Sequence, residues 1–192
     1  MKPTRTYTMS ARAKAVEQTR QRILEATLEL SGTRRIAAIS LDDVATAAGV
    51  SVQTVLRQFG SRAALIDATT AYADEMVVDE RRAPAGDVRG AVAVVGEHYE
   101  KRGEAVLLLL AQEIDDPIVR RMTTTGKRLH REWVTKVFAP WGPDDATLDL
   151  LVVATDVYTW KLLRHDRGLS RPQTEARMVT LVQALLPTSA KD

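Results

Sequence analysis

The chain has 192 residues, 45% of them apolar and 27% charged, and it contains no cysteine. This composition excludes a disordered chain, a disulfide scaffold, a thiolate metal centre, a cysteine nucleophile and a CxxC redox pair. The formal charge of +2 hides an asymmetry, because residues 1–62 carry ten Lys/Arg against five Asp/Glu and residues 63–192 carry 17 against 20, the balance of a polyanion-binding head on a body with another task.

Residues 1–14, with Lys2, Arg5, Arg12 and Lys14, have no apolar period and read as a flexible basic tail. Such a tail is either simply solvated or adds phosphate and minor-groove contacts. It has no apolar core of the kind a secretory signal needs. The longest apolar run, Ala105 to Ala111, has seven residues, far short of the ~20 that span a membrane. A soluble, cytoplasmic protein is expected.

Periodicity is helical from there on. Val16, Ile23, Leu24, Thr27 and Leu28 form one stripe, which ends at Gly32. Ser40 caps a short helix to Ala48, and Ser51 caps a second from Val52 to Phe59. A longer helix starts near Arg62. Further helices are expected over Val88–Arg102 and Glu104–Gln112, then from Pro117 through Val137, with Pro117 in the first turn. The last two run from Leu148 to near Gly168 and from Ser170 to Leu186. With no sustained strand alternation, the pattern predicts an all-α protein of nine helices.

The informative stretch is Leu41–Phe59. Gly49 suits a left-handed turn between two short helices, and Ala45 is small enough for the second helix to cross closely over it. Val44, Ala48, Val50, Val55 and Phe59 point inward. The outer face of the second helix is left with Gln53, Thr54, Arg57 and Gln58 and no acid. Arginine can pair with guanine in the major groove and glutamine with adenine, so this face suits a base reader.

The run Ser40-Leu-Asp-Asp-Val-Ala-Thr-Ala-Ala-Gly-Val-Ser51, with Thr54-Val-Leu-Arg-Gln-Phe-Gly-Ser-Arg-Ala-Ala-Leu65 after it, resembles the N-terminal domain of the tetracycline-repressor (TetR) family over about residues 16–66. The resemblance implies a three-helix helix-turn-helix head over residues 15–62 and a six-helix ligand-binding and dimerisation body over residues 63–192. It implies base contacts by Gln53, Thr54 and Arg57, and phosphate contacts by Ser40, Ser51, Gln58 and Arg62. Two positions depart from the family pattern: Leu56 stands where a tyrosine is common, and Gln58 where histidine is frequent. Leu56 cannot donate a hydrogen bond, so one backbone contact of the family is missing.

The resemblance also implies that Val92, Val95, Tyr99, Met122, Leu129 and Trp133 wall an effector cavity. His98, Gln112, Thr125 and His130 would be its polar groups, suiting a small, largely apolar ligand. The last two helices carry apolar stripes that a monomer would leave partly exposed. A four-helix homodimer seam of Leu148, Leu151, Val152, Leu162, Met178, Leu181, Val182 and Leu185 is expected. The three histidines have no metal-ligand spacing, and Asp115-Asp116 and Asp144-Asp145 read as helix caps. No catalytic residue, metal or cofactor is expected. The function expected is that of a sequence-specific DNA-binding transcriptional regulator, a repressor released from a palindromic operator by its effector. The rival readings are a sequence-tolerant architectural DNA binder without effector, and an α-helical enzyme carrying an incidental hairpin.

Overall fold

A computed structural model of the chain describes residues 5–187, with side chains from Arg12 onward. Lys2 and the rest of residues 1–4 therefore lie outside the described residues, as does the side chain of Arg5. The described residues are helical with no strand. In chain order they form α1 (Arg5–Thr33), a 3-10 turn (Ile36–Ala38), α2 (Leu41–Ala48), α3 (Val52–Phe59) and α4 (Arg62–Glu80), then α5 (Val88–Leu110), α6 (Pro117–Phe138), α7 (Asp145–Ala154), α8 (Val157–Lys161) and α9 (Arg171–Leu185).

Much of the expected tail is thus helix. Residues 5–14 form the first turns of α1, since alanine, arginine and lysine favour helix whether or not an apolar stripe is present, and no proline or glycine follows Pro3 until Gly32. The apolar stripe is buried only from Ile23 onward, and Val16 is exposed.

The chain forms two compact units, one ending at Ala73 and the other starting at Asp74. The division falls inside α4 rather than at its start. The first half of α4 belongs with the head because Arg62 donates to the carbonyls of Ile36 and Ile39, and the Tyr72 hydroxyl reaches the Glu25 carboxylate at 3.4 Å. The head core holds Ile23, Leu24, Ile36, Ile39, Val44 and Val55. In the body, α5 packs on α6, α8 and α9, and α7 packs on α6 and α9. Their shared core holds Val92, Val95, Tyr99, Phe138, Leu151, Trp160, Met178 and Val182.

Two helix boundaries differ from the expected ones. The break expected at Gly103 is absent, and α5 runs through it to Leu110. Gly103 stands there because the Trp160 ring lies against the helix: a Cβ at that position would sit 2.5 Å from Trp160 Cζ3. Conversely, the single helix expected from Leu148 to Gly168 is broken after Ala154. Asp156 caps a new helix by accepting from Tyr158 N at 2.9 Å, and a π-helical turn over Leu162–Asp166 ends it. Asp116 and Asp144 cap α6 and α7, accepting from Ile118 N and Thr147 N at 2.8 Å each.

A Gly103→Ala substitution should destabilise the body by ~1–3 kcal/mol through this clash, outweighing the ~1 kcal/mol that alanine gains in helix propensity. Denaturant unfolding followed by tryptophan fluorescence measures it. A more stable variant would show that Trp160 does not press on α5.

Candidate nucleic-acid interface

The hairpin of α2 and α3 is set by local chemistry at three points. At its entry, the Ser40 hydroxyl accepts from Asp43 N at 3.1 Å while Ser40 N donates to the Asp43 carboxylate at 2.8 Å, a reciprocal cap. Arg34 closes on the same carboxylate at 2.9 Å and donates to the Ala38 carbonyl at 3.0 Å. Its guanidinium, with the Ser40 donors, holds the Asp43 carboxyl well below the usual range. At the turn, Gly49 adopts φ 64°, ψ 40°, and Val50 N donates to the Ala45 carbonyl at 2.9 Å. A left-handed residue is needed there, and glycine takes that shape without a Cβ penalty. At the start of α3, the Ser51 hydroxyl accepts from Thr54 N at 3.2 Å.

Val44, Ala45, Ala48 and Val55 are buried between the helices, while Val50 and Phe59 are half-buried. The Arg20 guanidinium lies 4.6 Å over the Phe59 ring, clamping the end of α3 to α1. What α3 turns outward is Gln53, Leu56 and Arg57, all exposed, with Thr54 and Gln58 half-buried beside them. Gln53 and Arg57, four residues apart, share one face. The hydroxyls of Ser40 and Ser51 are exposed but serve as caps.

Arg62 stands apart from this surface. Its Nε donates to the Ile39 carbonyl at 2.8 Å and its Nη2 to the Ile36 carbonyl. The guanidinium expected to meet a phosphate here forms a strut between the start of α4 and the loop before α2. A position beside a basic surface suggests phosphate, but two carbonyls at fixed positions offer closer partners.

In the body, the side chains expected to wall a cavity are partly brought together. Val92, Val95, His98 and Tyr99 of α5 and His130 of α6 are buried, while Met122, Thr125, Leu129 and Trp133 are half-buried. The amide of buried Gln112 donates to the Leu108 carbonyl at 2.7 Å. At the centre of the group lies Arg81, a residue that periodicity did not single out. Its Nη1 is 3.1 Å from His130 Nδ1, and its guanidinium lies 5.1 Å from the Tyr99 ring centroid.

That contact makes His130 Nδ1 the acceptor, so its Nε2 carries the proton and faces Val152 O at 3.4 Å and Thr155 Oγ1 at 3.3 Å. Burial, with the charge of Arg81, pushes His130 down to about 3 and His98 down to about 4. Both rings are therefore neutral at pH 7. His98 Nδ1 donates to Glu80 at 3.0 Å, and Arg102 grips the same carboxylate, which it holds down at about 2.

The expected dimer seam needs correction. Leu151, Met178 and Val182 are buried in the body's own core, and Leu148, Val152 and Leu185 are half-buried. Only Leu162 and Leu181 of that set are exposed, together with Leu150, Val153 and Tyr158. An apolar stripe does not reveal which neighbour covers it, and here α5 and α6 cover much of it. Among the described residues, no group of His, Asp or Glu could hold a metal ion, and no helix is long and apolar enough to cross a membrane.

The hairpin geometry defines the head as a helix-turn-helix domain. A sequence model of the family described as "Bacterial regulatory proteins, tetR family" matches residues 23–69. The HTH-type transcriptional regulator AlkX of Mycobacterium tuberculosis is 34% identical over 105 residues, covering 55% of this chain and 47% of that protein. The match thus spans about half the length of that curated relative. A tetR-family transcriptional regulator from Streptomyces coelicolor has a TM-score of 0.67 at 20% identity, over 88% of this chain and 80% of its own. The multidrug binding protein EbrR, solved with imidazole, has a TM-score of 0.61 at 22% identity, over 91% of this chain and 93% of its own. Over residues 23–69 of its head, the chain is similar to the tetR family of bacterial regulatory proteins.

An Arg62→Ala substitution should unsettle the head by ~2–4 kcal/mol, the scale of two charge-assisted hydrogen bonds. Its residual DNA affinity, measured on the folded fraction, should keep the wild-type salt dependence. A salt slope reduced by about one per monomer with head stability unchanged would restore Arg62 as a phosphate ligand.

Proposed function

We propose that the chain is a transcriptional regulator that reads a palindromic DNA operator with α3 of two copies and leaves it when a small molecule binds the body. The observation that carries this reading is the outward face of α3. Gln53 and Arg57 are exposed on one side of a helix that has no acid and is held rigidly by a capped turn. Arginine pairs with guanine and glutamine with adenine through two hydrogen bonds each, and the neighbouring hydroxyls of Ser40, Ser51 and Thr54 and the amide of Gln58 suit phosphate or base-edge contacts.

One hairpin offers few contacts, so two heads on a symmetric dimer are needed for useful affinity. The exposed apolar side chains Leu150, Val153, Tyr158, Leu162 and Leu181 are the candidate seam. Repression is the simplest consequence of occupying an operator. A body whose relative EbrR is described as a multidrug binding protein suits a small, largely apolar effector. Its effect would travel along α4, the helix shared by the two units. By linkage, DNA must weaken effector binding by the same factor that effector weakens DNA binding.

Arg57→Ala and Gln53→Ala should each cost ~1–3 kcal/mol per half-site on the preferred duplex and relax preference at particular base pairs, while affinity for scrambled DNA changes less. Binding of each variant to both duplexes across a salt series measures this. A uniform loss on both duplexes would make Arg57 a general phosphate contact and favour a sequence-tolerant architectural binder.

A further inference from the structure

Arg81 is a cation in an unusual place. It is only 8% exposed, yet among the described residues it has no carboxylate within ion-pair distance. Its Nη1 reaches a neutral imidazole, its face meets a phenol ring, and its Nε is buried with no hydrogen-bond partner. The acids around it are otherwise engaged. Glu80 is held by Arg102 and His98, and Asp156, which feels the Arg81 charge without closing an ion pair on it, caps α8 through Tyr158 N. A buried charge with no close ion pair and an unpartnered Nε is costly, and proteins rarely keep one without a use for it.

We infer that Arg81 is the counter-charge for an anionic effector, and that the body takes a carboxylate carried on an apolar aryl or alkyl group. This rests on the reading of the body as an effector domain and sharpens it from an apolar ligand to an amphipathic acid. The guanidinium fork matches a carboxylate with two parallel hydrogen bonds. The surroundings select against a compact, strongly hydrated anion such as inorganic phosphate, because Val92, Val95 and Tyr99 are buried apolar groups and Trp133 stacks on His130 with centroids 5.8 Å apart. His130 and His98, both neutral, add no competing positive charge.

The position of Arg81 gives the pairing a consequence. The residue directly follows α4, and its carbonyl accepts from Trp133 Nε1 at 2.7 Å. A carboxylate that draws the guanidinium away from His130 therefore acts on the end of α4, with Trp133 as a nearby optical reporter.

The test is thermal melting and tryptophan fluorescence of the full chain with benzoate and octanoate, each against its uncharged counterpart, benzyl alcohol or 1-octanol. The wild type should bind both carboxylates saturably, with affinity about tenfold or more above the alcohols. Arg81→Met should lose that selectivity while melting at or above the wild-type temperature, since the unpaired charge is gone. Arg81→Lys, which keeps the charge, should retain preference for the acids, and it carries the test if Arg81→Met fails to fold. A wild type that ignores both carboxylates, an Arg81→Met variant that binds them equally well, or alcohols binding as tightly as acids would overturn the inference. DNA binding by the same preparations separates the two readings. Sequence-selective binding without a carboxylate response sinks only this inference, whereas carboxylate binding without sequence-selective DNA binding sinks the regulator.

Discussion

Two arginines fasten the two ends of α4. At its start, Arg62 donates to the carbonyls of Ile36 and Ile39 in the head. Just past its end, Arg81 reaches His130 and the face of Tyr99 in the body. Hydrogen bonds from a charged donor contribute ~1.5–3 kcal/mol each when their partners are held in place, as the Ile36 and Ile39 carbonyls are for Arg62. The placement of α3 in the head depends on the first anchor, through the loop that leads into α2. The polar cluster of the body is organised around the second.

The two anchors differ in how complete they are. Arg62 finds two full acceptors and is a strut. Arg81 finds one imidazole nitrogen and a ring face, which leaves its Nε without a hydrogen-bond partner. The same charge explains the state of its neighbours. His130 and His98 are kept neutral by burial and by the guanidinium. A polar cluster arranged in this way is poised for an incoming anion more than for self-sufficiency.

The head was legible in the sequence because its determinants are local. Gly49, Ser40 and Ser51 act within three or four residues of themselves, and the crossing of α2 and α3 needs only a small residue at Ala45. The hold of Arg62 on the loop before α2 was not legible because its acceptors lie 23 and 26 residues upstream, beyond the reach of any local pattern. The same limit governs the body. Gly103 looks like a helix breaker until Trp160, on another helix, is seen lying against it. Leu151, Met178 and Val182 belong to apolar stripes that suit a dimer seam as well as an internal core, and only packing decides between them. Arg81, one charged residue after a helix, carries no sequence signal at all. Its role comes from burial.

The central claim, that two copies of α3 read DNA in register, is tested most directly by selecting bound duplexes from a randomised pool with the purified full chain. The account predicts enrichment of an inverted repeat whose half-site centres lie about one helical turn apart, ~34–36 Å, or a multiple of it. An unenriched pool, or a single half-site without its symmetric mate, would contradict it.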